Sequence, residues 1–96
     1  MIISFEDTAT EDIYNGLRSK KAMVIPQAIW PVAHRKLDMI HAAHELRDLK
    51  VPPGNKLEAL KGSYRGFHSI RVNDQFRIVF KWADGSAADL QITDYH

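Results

Sequence analysis

Ser69-Ile70-Arg71-Val72-Asn73-Asp74-Gln75-Phe76-Arg77-Ile78-Val79-Phe80 reads as two strands joined by a polar turn. Ile70 and Val72 alternate with Ser69 and Arg71, and Asn73-Asp74 reads as a turn. Phe76, Ile78, Phe80 and Trp82 then alternate with Arg77, Val79 and Lys81. A period of two belongs to a strand with one face buried. Two such runs around a short polar turn predict an antiparallel hairpin. Asp84-Gly85 signals a second hairpin turn, and Ala88, Leu90 and Ile92 predict the buried face of a final strand.

The chain before this meander has a different period. Ile2 to Phe5 is a short β-type run. Thr8-Ala9-Thr10-Glu11 has the spacing of a capping box and predicts a helix through Ile13, Tyr14 and Leu17, weakened by Gly16. Arg18 to Lys21 reads as a loop, and Val24-Ile25 should be extended ahead of Pro26. Ile29, Ala33, Leu37, Ile40 and Ala43 recur every three or four residues, which predicts a helix from Gln27 to about Arg47. Pro31 fits its first turn. Pro52-Pro53-Gly54-Asn55 breaks the chain, and Leu57 to Leu60 is a short strand candidate. Helices followed by a meander predict a single α+β domain over residues 1–96, with N-terminal helices on one face of a mainly antiparallel sheet.

Composition bounds the function. With 96 residues and 45% apolar content the chain suits one small soluble core. It has no cysteine, no signal-peptide pattern and no long apolar run, so a cytoplasmic protein away from membranes is expected. The net charge of +1 hides an asymmetry. Residues 50–81 carry seven Lys/Arg against Glu58 and Asp74, a local net of +5, whereas residues 82–96 carry only Asp84, Asp89 and Asp94. A basic stretch on a nearly neutral chain points to a polyanionic partner, although a solvated sheet face has the same composition. Strand parity gathers Ser69, Arg71, Arg77 and Lys81 on the face away from the helices.

The chain ends on Asp94-Tyr95-His96. An imidazole titrates near pH ~6.5, so His96 can serve as acid or base. With Asp94 to take a proton or orient the ring, and Lys61 and Arg77 to hold a phosphate, the set suffices for metal-free cleavage of RNA by its own 2′-hydroxyl. Composition alone does not select that reaction, since surface lysines and a frayed terminus contain the same residues. Parity also puts Asp94 and His96 on the side of Ile92, so the tail must turn after Ile92 to reach Arg77. His34, Asp38, His41 and Glu45 share one helix face, read as solvated rather than metal-binding. Trp30 and Trp82 are expected in the core, and His68 as a core or edge histidine. No phosphate-binding glycine loop is present.

Leu60-Lys61-Gly62, the Ser69–Ile78 run, Asp84-Gly85 and the terminal Asp94-Tyr95-His96 together resemble the HigB family of type II toxin–antitoxin toxins, within the RelE-like superfamily. Leu46-Arg47-Asp48-Leu49 followed by Pro52-Pro53-Gly54-Asn55 is also similar to that family, and the resemblance spans the chain. It implies a RelE-like fold and a metal-independent, cofactor-free endoribonuclease that cuts mRNA in the decoding site of the 70S ribosome. It further implies a HigA-type helix-turn-helix antitoxin as partner, and contact with operator DNA only through the toxin–antitoxin complex. Carried over by motif, the catalytic residues are Lys61, Arg77, Asp94 and His96. Tyr64, Arg65, Arg71, Lys81 and Tyr95 are RNA-contact candidates, with Tyr95 equally suited to core packing. Some members carry a histidine three residues before the lysine. Glu58 stands there in this chain, as a base or as a surface acid. Two other readings remain: a non-catalytic RelE-like module acting on the ribosome or as a co-repressor, and an RNase that needs no ribosome.

Overall fold

The computed structural model describes residues 1–94; Tyr95 and His96 lie outside the described residues. Helix α1 spans Thr8–Tyr14 and α2 spans Trp30–Ala42. Four strands follow: β1 (Glu58–Ala59), β2 (Phe67–Arg71), β3 (Arg77–Ala83) and β4 (Ser86–Thr93). They form one sheet in the order β1-β2-β3-β4, every neighbouring pair antiparallel. The N-terminal run lies parallel to β4 through bridges at Ile2–Ala87 and Phe5–Leu90. The expected α+β architecture is the observed one.

The core lies between the helices and one sheet face. Ala9 and Ile13 of α1 and Ala33, Leu37 and Ile40 of α2 are buried with Ile70, Ile78, Phe80, Leu90 and Ile92. Trp30 and Trp82 are half-buried against this cluster, as their spacing predicts. Thr10 is also fully buried. Its hydroxyl accepts the Ile92 amide at 2.9 Å, which joins α1 to β4.

Helix ends depart from the sequence reading in informative ways. The cap of α1 is Asp7, whose carboxylate accepts the Thr10 amide at 2.9 Å, rather than the Thr8 box. The helix stops at Tyr14, not Leu17. Gly16 adopts φ +76°, and the Gly16 and Leu17 amides return to the carbonyls of Ile13 and Asp12. That pairing is a Schellman stop, so Gly16 ends the helix instead of merely weakening it. Helix α2 ends at Ala42, well short of Arg47, because Ala43 turns extended. Asp48 captures the amides of His44 and Glu45, both at 3.0 Å, and opens a 3₁₀ turn over Leu46–Lys50. Those two N–H donors hold the Asp48 carboxyl below its usual range.

Asp84 and Gly85 both adopt positive φ, as a two-residue hairpin turn requires. The final strand contains a bulge: Val79 faces Gln91 while Lys81 faces Ala88, so β4 has one extra residue between. Asp89 takes φ 54° there. The bulge shifts the alternation, and Ala87 rather than Ala88 is buried beside Leu90 and Ile92.

Candidate active site

Residues directly opposite in an antiparallel pair share a face. Ser69 faces Val79 and Glu58, Arg71 faces Arg77, and Phe67 faces Lys81. The basic side chains therefore gather away from the helices, as parity predicts. This face is not bare, since Ser69 and Val79 are buried on it.

Arg77 is the organising residue. Its Nε donates to the Ser69 hydroxyl at 2.7 Å, and its Nη2 donates to the carbonyls of Lys56 at 2.6 Å and Ser69 at 3.3 Å. The Glu58 carboxylate lies 3.9 Å from Nε. Only 14% of the Arg77 side chain is exposed, so the guanidinium is held in one orientation rather than roaming in solvent. Lys56 presents its carbonyl from a left-handed turn with φ 46°, which follows the 3₁₀ turn at Pro53–Asn55. The buried Asn55 fastens that turn: its amide nitrogen donates to the Leu49 carbonyl at 3.1 Å, and its oxygen accepts from Lys36. Burial lowers the Lys36 amine from its usual range, with added repulsion from Arg35 and Arg71.

The polar residues of the Ser69–Arg77 run now have separate tasks. Asn73 accepts the amides of Gln75 and Phe76, which closes the turn between β2 and β3. Arg71 pairs with Asp74. Gln75 donates to the Asp94 carboxylate at 3.1 Å. Strand β4 pairs Thr93 with Arg77 and ends there, so Asp94 follows directly from the residue opposite Arg77.

The remaining candidates are dispersed. Lys61 is exposed where the chain leaves β1, three residues beyond Glu58, or roughly 10 Å at ~3.3 Å per extended residue. Arg65 is exposed in the same connection. Tyr64 packs edge-on against Phe67 at 5.6 Å, and Lys81 sits 5.1 Å above the same ring while pairing with Asp89 at 3.4 Å. The expected sites at Tyr95 and His96 fall outside the described residues. Among the described residues, no three His, Asp or Glu side chains converge as metal ligands. His34 instead pairs with Asp38 at 3.4 Å and stacks on Tyr14. Burial and the nearby Asp38 charge raise the Tyr14 hydroxyl above its usual range.

Ser69, Gln75 and the Lys56 carbonyl support the candidate site, and no residue spacing singles them out. Parity puts Ser69 on the correct face but carries no strand register. No helix among the described residues is long and apolar enough to cross a membrane.

The family model for the RelE-like toxin HigB of type II toxin–antitoxin systems matches residues 3–96. Toxin HigB-1 of Vibrio cholerae is 41% identical over 87 residues, covering 91% of this chain and 90% of that protein. An uncharacterised Haemophilus influenzae protein is 40% identical over 68 residues, covering 71% of this chain and 67% of its own length. A chain of the YoeB–YefM complex from Staphylococcus aureus superposes with a TM-score of 0.56 at 17% identity, covering 100% of this chain and 98% of that one. A heterotetrameric YoeB–YefM toxin–antitoxin complex from the same organism gives 0.54 at 16% identity, with the same coverage. These two likenesses concern the fold. With matching motifs, fold and family model, this chain belongs to the RelE-like HigB toxins of type II toxin–antitoxin systems.

Proposed function

We propose that this toxin is a ribosome-dependent, metal-independent endoribonuclease that cuts mRNA and arrests translation and growth. The observation that carries the reading is the fixed Arg77 guanidinium, with the Glu58 carboxylate 3.9 Å away. A preorganised cation is what a phosphorane demands, because it need not reorient as charge builds on the phosphoryl oxygens. The 2′-hydroxyl attacks the scissile phosphorus and the 5′ oxygen leaves with a proton. Arg77 stabilises the phosphorane, and Lys61 holds the phosphate from the neighbouring connection. His96 is the main acid or base, with Asp94 as its partner. Glu58 is a second candidate base, supported by its place beside Arg77.

Tyr64, Arg65, Arg71, Lys81 and Tyr95 contact the RNA in this scheme. An HTH-type HigA antitoxin restrains the toxin, and the pair binds operator DNA. The test incubates purified protein with 70S ribosomes programmed with mRNA, and separately with naked mRNA, each with and without a chelator at constant ribosome integrity. Cleavage only with ribosomes, unchanged by the chelator, is the expected result. Cleavage of naked RNA, or loss of cleavage with chelator on intact ribosomes, contradicts it.

The second reading is the non-catalytic module. It is favoured by one observation: Arg71 and Lys81 are already paired with Asp74 and Asp89. Under that reading, induction produces no new mRNA ends.

A further inference from the structure

Three polar side chains are fully buried among the described residues: Thr10, Ser69 and Asn55. Thr10 joins α1 to β4, and Ser69 holds Arg77. Asn55 touches neither the sheet nor Arg77 through its own hydrogen bonds, yet burying an amide side chain is costly unless those bonds are made. Its Nδ2 donates to the Leu49 carbonyl at 3.1 Å and to the Val51 carbonyl at 3.4 Å, and its Oδ1 accepts from Lys36 Nζ. Among the described residues Lys36 pairs with no carboxylate, so its ammonium is committed to this amide oxygen.

The next residue is Lys56. Its amide donates to the Pro53 carbonyl at 3.1 Å, its φ is 46°, and its carbonyl accepts from Arg77 Nη2 at 2.6 Å. A left-handed lysine persists only where its surroundings fix it. The Asn55 bonds do so, tying the turn to α2 through Lys36 and to the 3₁₀ turn over Leu46–Lys50 through Leu49. We infer that Lys36 and Asn55 are positioning residues: through the Lys56 carbonyl they set the orientation of the Arg77 guanidinium. Ser69 fixes one end of the planar fork at Nε. The Lys56 carbonyl is the shorter of the two Nη2 contacts and fixes the other end. With both ends anchored the fork has one direction, and a shift of the turn re-aims its remaining N–H donors. Misplacement by about 1 Å from a change far from the chemistry costs a reaction up to ~10²-fold. The catalytic consequence rests on the nuclease reading; the orientation of Arg77 does not.

Two variants test the inference. Lys36→Met keeps the length of the side chain without its donor, at a half-buried position. Asn55→Asp keeps the shape and the acceptor but removes the donor to Leu49 and Val51. Circular dichroism and thermal melts check that each is folded. The NMR signals of the Arg77 Nη protons, assigned with Arg77→Ala, are expected to show hindered rotation in the wild type and faster rotation in both variants. On mRNA-programmed 70S ribosomes under single-turnover conditions, each variant should cut at least about tenfold more slowly. Adding Lys36→Met to Arg77→Ala should cause no further loss, because its effect passes through Arg77. Unchanged Arg77 signals in the folded variants, unchanged cleavage, or an equal loss from Lys36→Met with and without Arg77 overturns the inference. A wild type that cuts nothing overturns the nuclease reading instead, and the Arg77 signals still decide whether Lys36 and Asn55 orient the guanidinium.

Discussion

Arg77 is held in place by its neighbours on and beside the sheet. Its Nε is satisfied by Ser69, a residue fully buried on the strand beside it. Hydrogen bonds to charged groups contribute about 1.5–3 kcal/mol each. Ser69→Ala is therefore expected to lower stability by roughly that amount and to reduce cleavage by loosening the guanidinium. Urea unfolding and a cleavage assay check both parts; unchanged activity would mean that Ser69 does not position Arg77. Lys56 carries the second support from a left-handed conformation, which costs a non-glycine residue about 1–2 kcal/mol. Lys56→Gly should keep the carbonyl in place and leave the melting temperature equal or higher, whereas Lys56→Val should lower it. Alternation makes the face that carries Arg77 legible, while its proposed role comes from the family motif. Ser69 as its anchor was not legible, because an alternating pattern gives a face without giving register. Nor was the Lys56 carbonyl, since a backbone acceptor leaves no trace in residue type.

The elements were legible in kind and less so in extent. Apolar spacing located α2, but nothing in that spacing marks where the helix stops. The stop comes from Asp48, which draws the amides of His44 and Glu45 into a new turn. Similarly, a strand pattern conceals a bulge, and the turn of Asp89 into φ 54° exchanges Ala88 for Ala87 in the core. The Asp48 carboxyl titrates below its unfolded value, so its stabilising effect is present above the unfolded carboxylate pKa of ~3.9. That effect is lost as pH falls from there through the lower folded pKa. Wild type and Asp48→Ala should therefore differ in thermal stability at neutral pH and converge in strong acid. A difference that persists below both values would assign the effect of Asp48 to something other than its charge.

At the scale of the whole molecule, the meander turns a local charge asymmetry into a face. Residues 50–81 hold a net of +5, and strand pairing lays Arg71, Arg77 and Lys81 on one side of the sheet. If Lys61 and Arg65 contact RNA as proposed, binding to single-stranded RNA should weaken linearly as the logarithm of salt rises, and Lys61→Ala or Arg65→Ala should each reduce the slope by about 0.7. Filter binding across a salt series checks this, and unchanged slopes would remove Lys61 and Arg65 from the RNA contacts. The N-terminal run was legible as β-type, but its parallel place beside β4 was not, because bridges between Ile2 and Ala87 join the two ends of the chain. Cleavage through Arg77 is tested by a map of mRNA 5′ ends in cells after induction of the toxin without antitoxin, beside Arg77→Ala expressed at equal level and shown to be folded. New 5′ ends within coding sequences are expected for the wild type, and at least ~10²-fold fewer for Arg77→Ala. Equal cutting by the two proteins, or no new ends from the wild type, would contradict cleavage through Arg77.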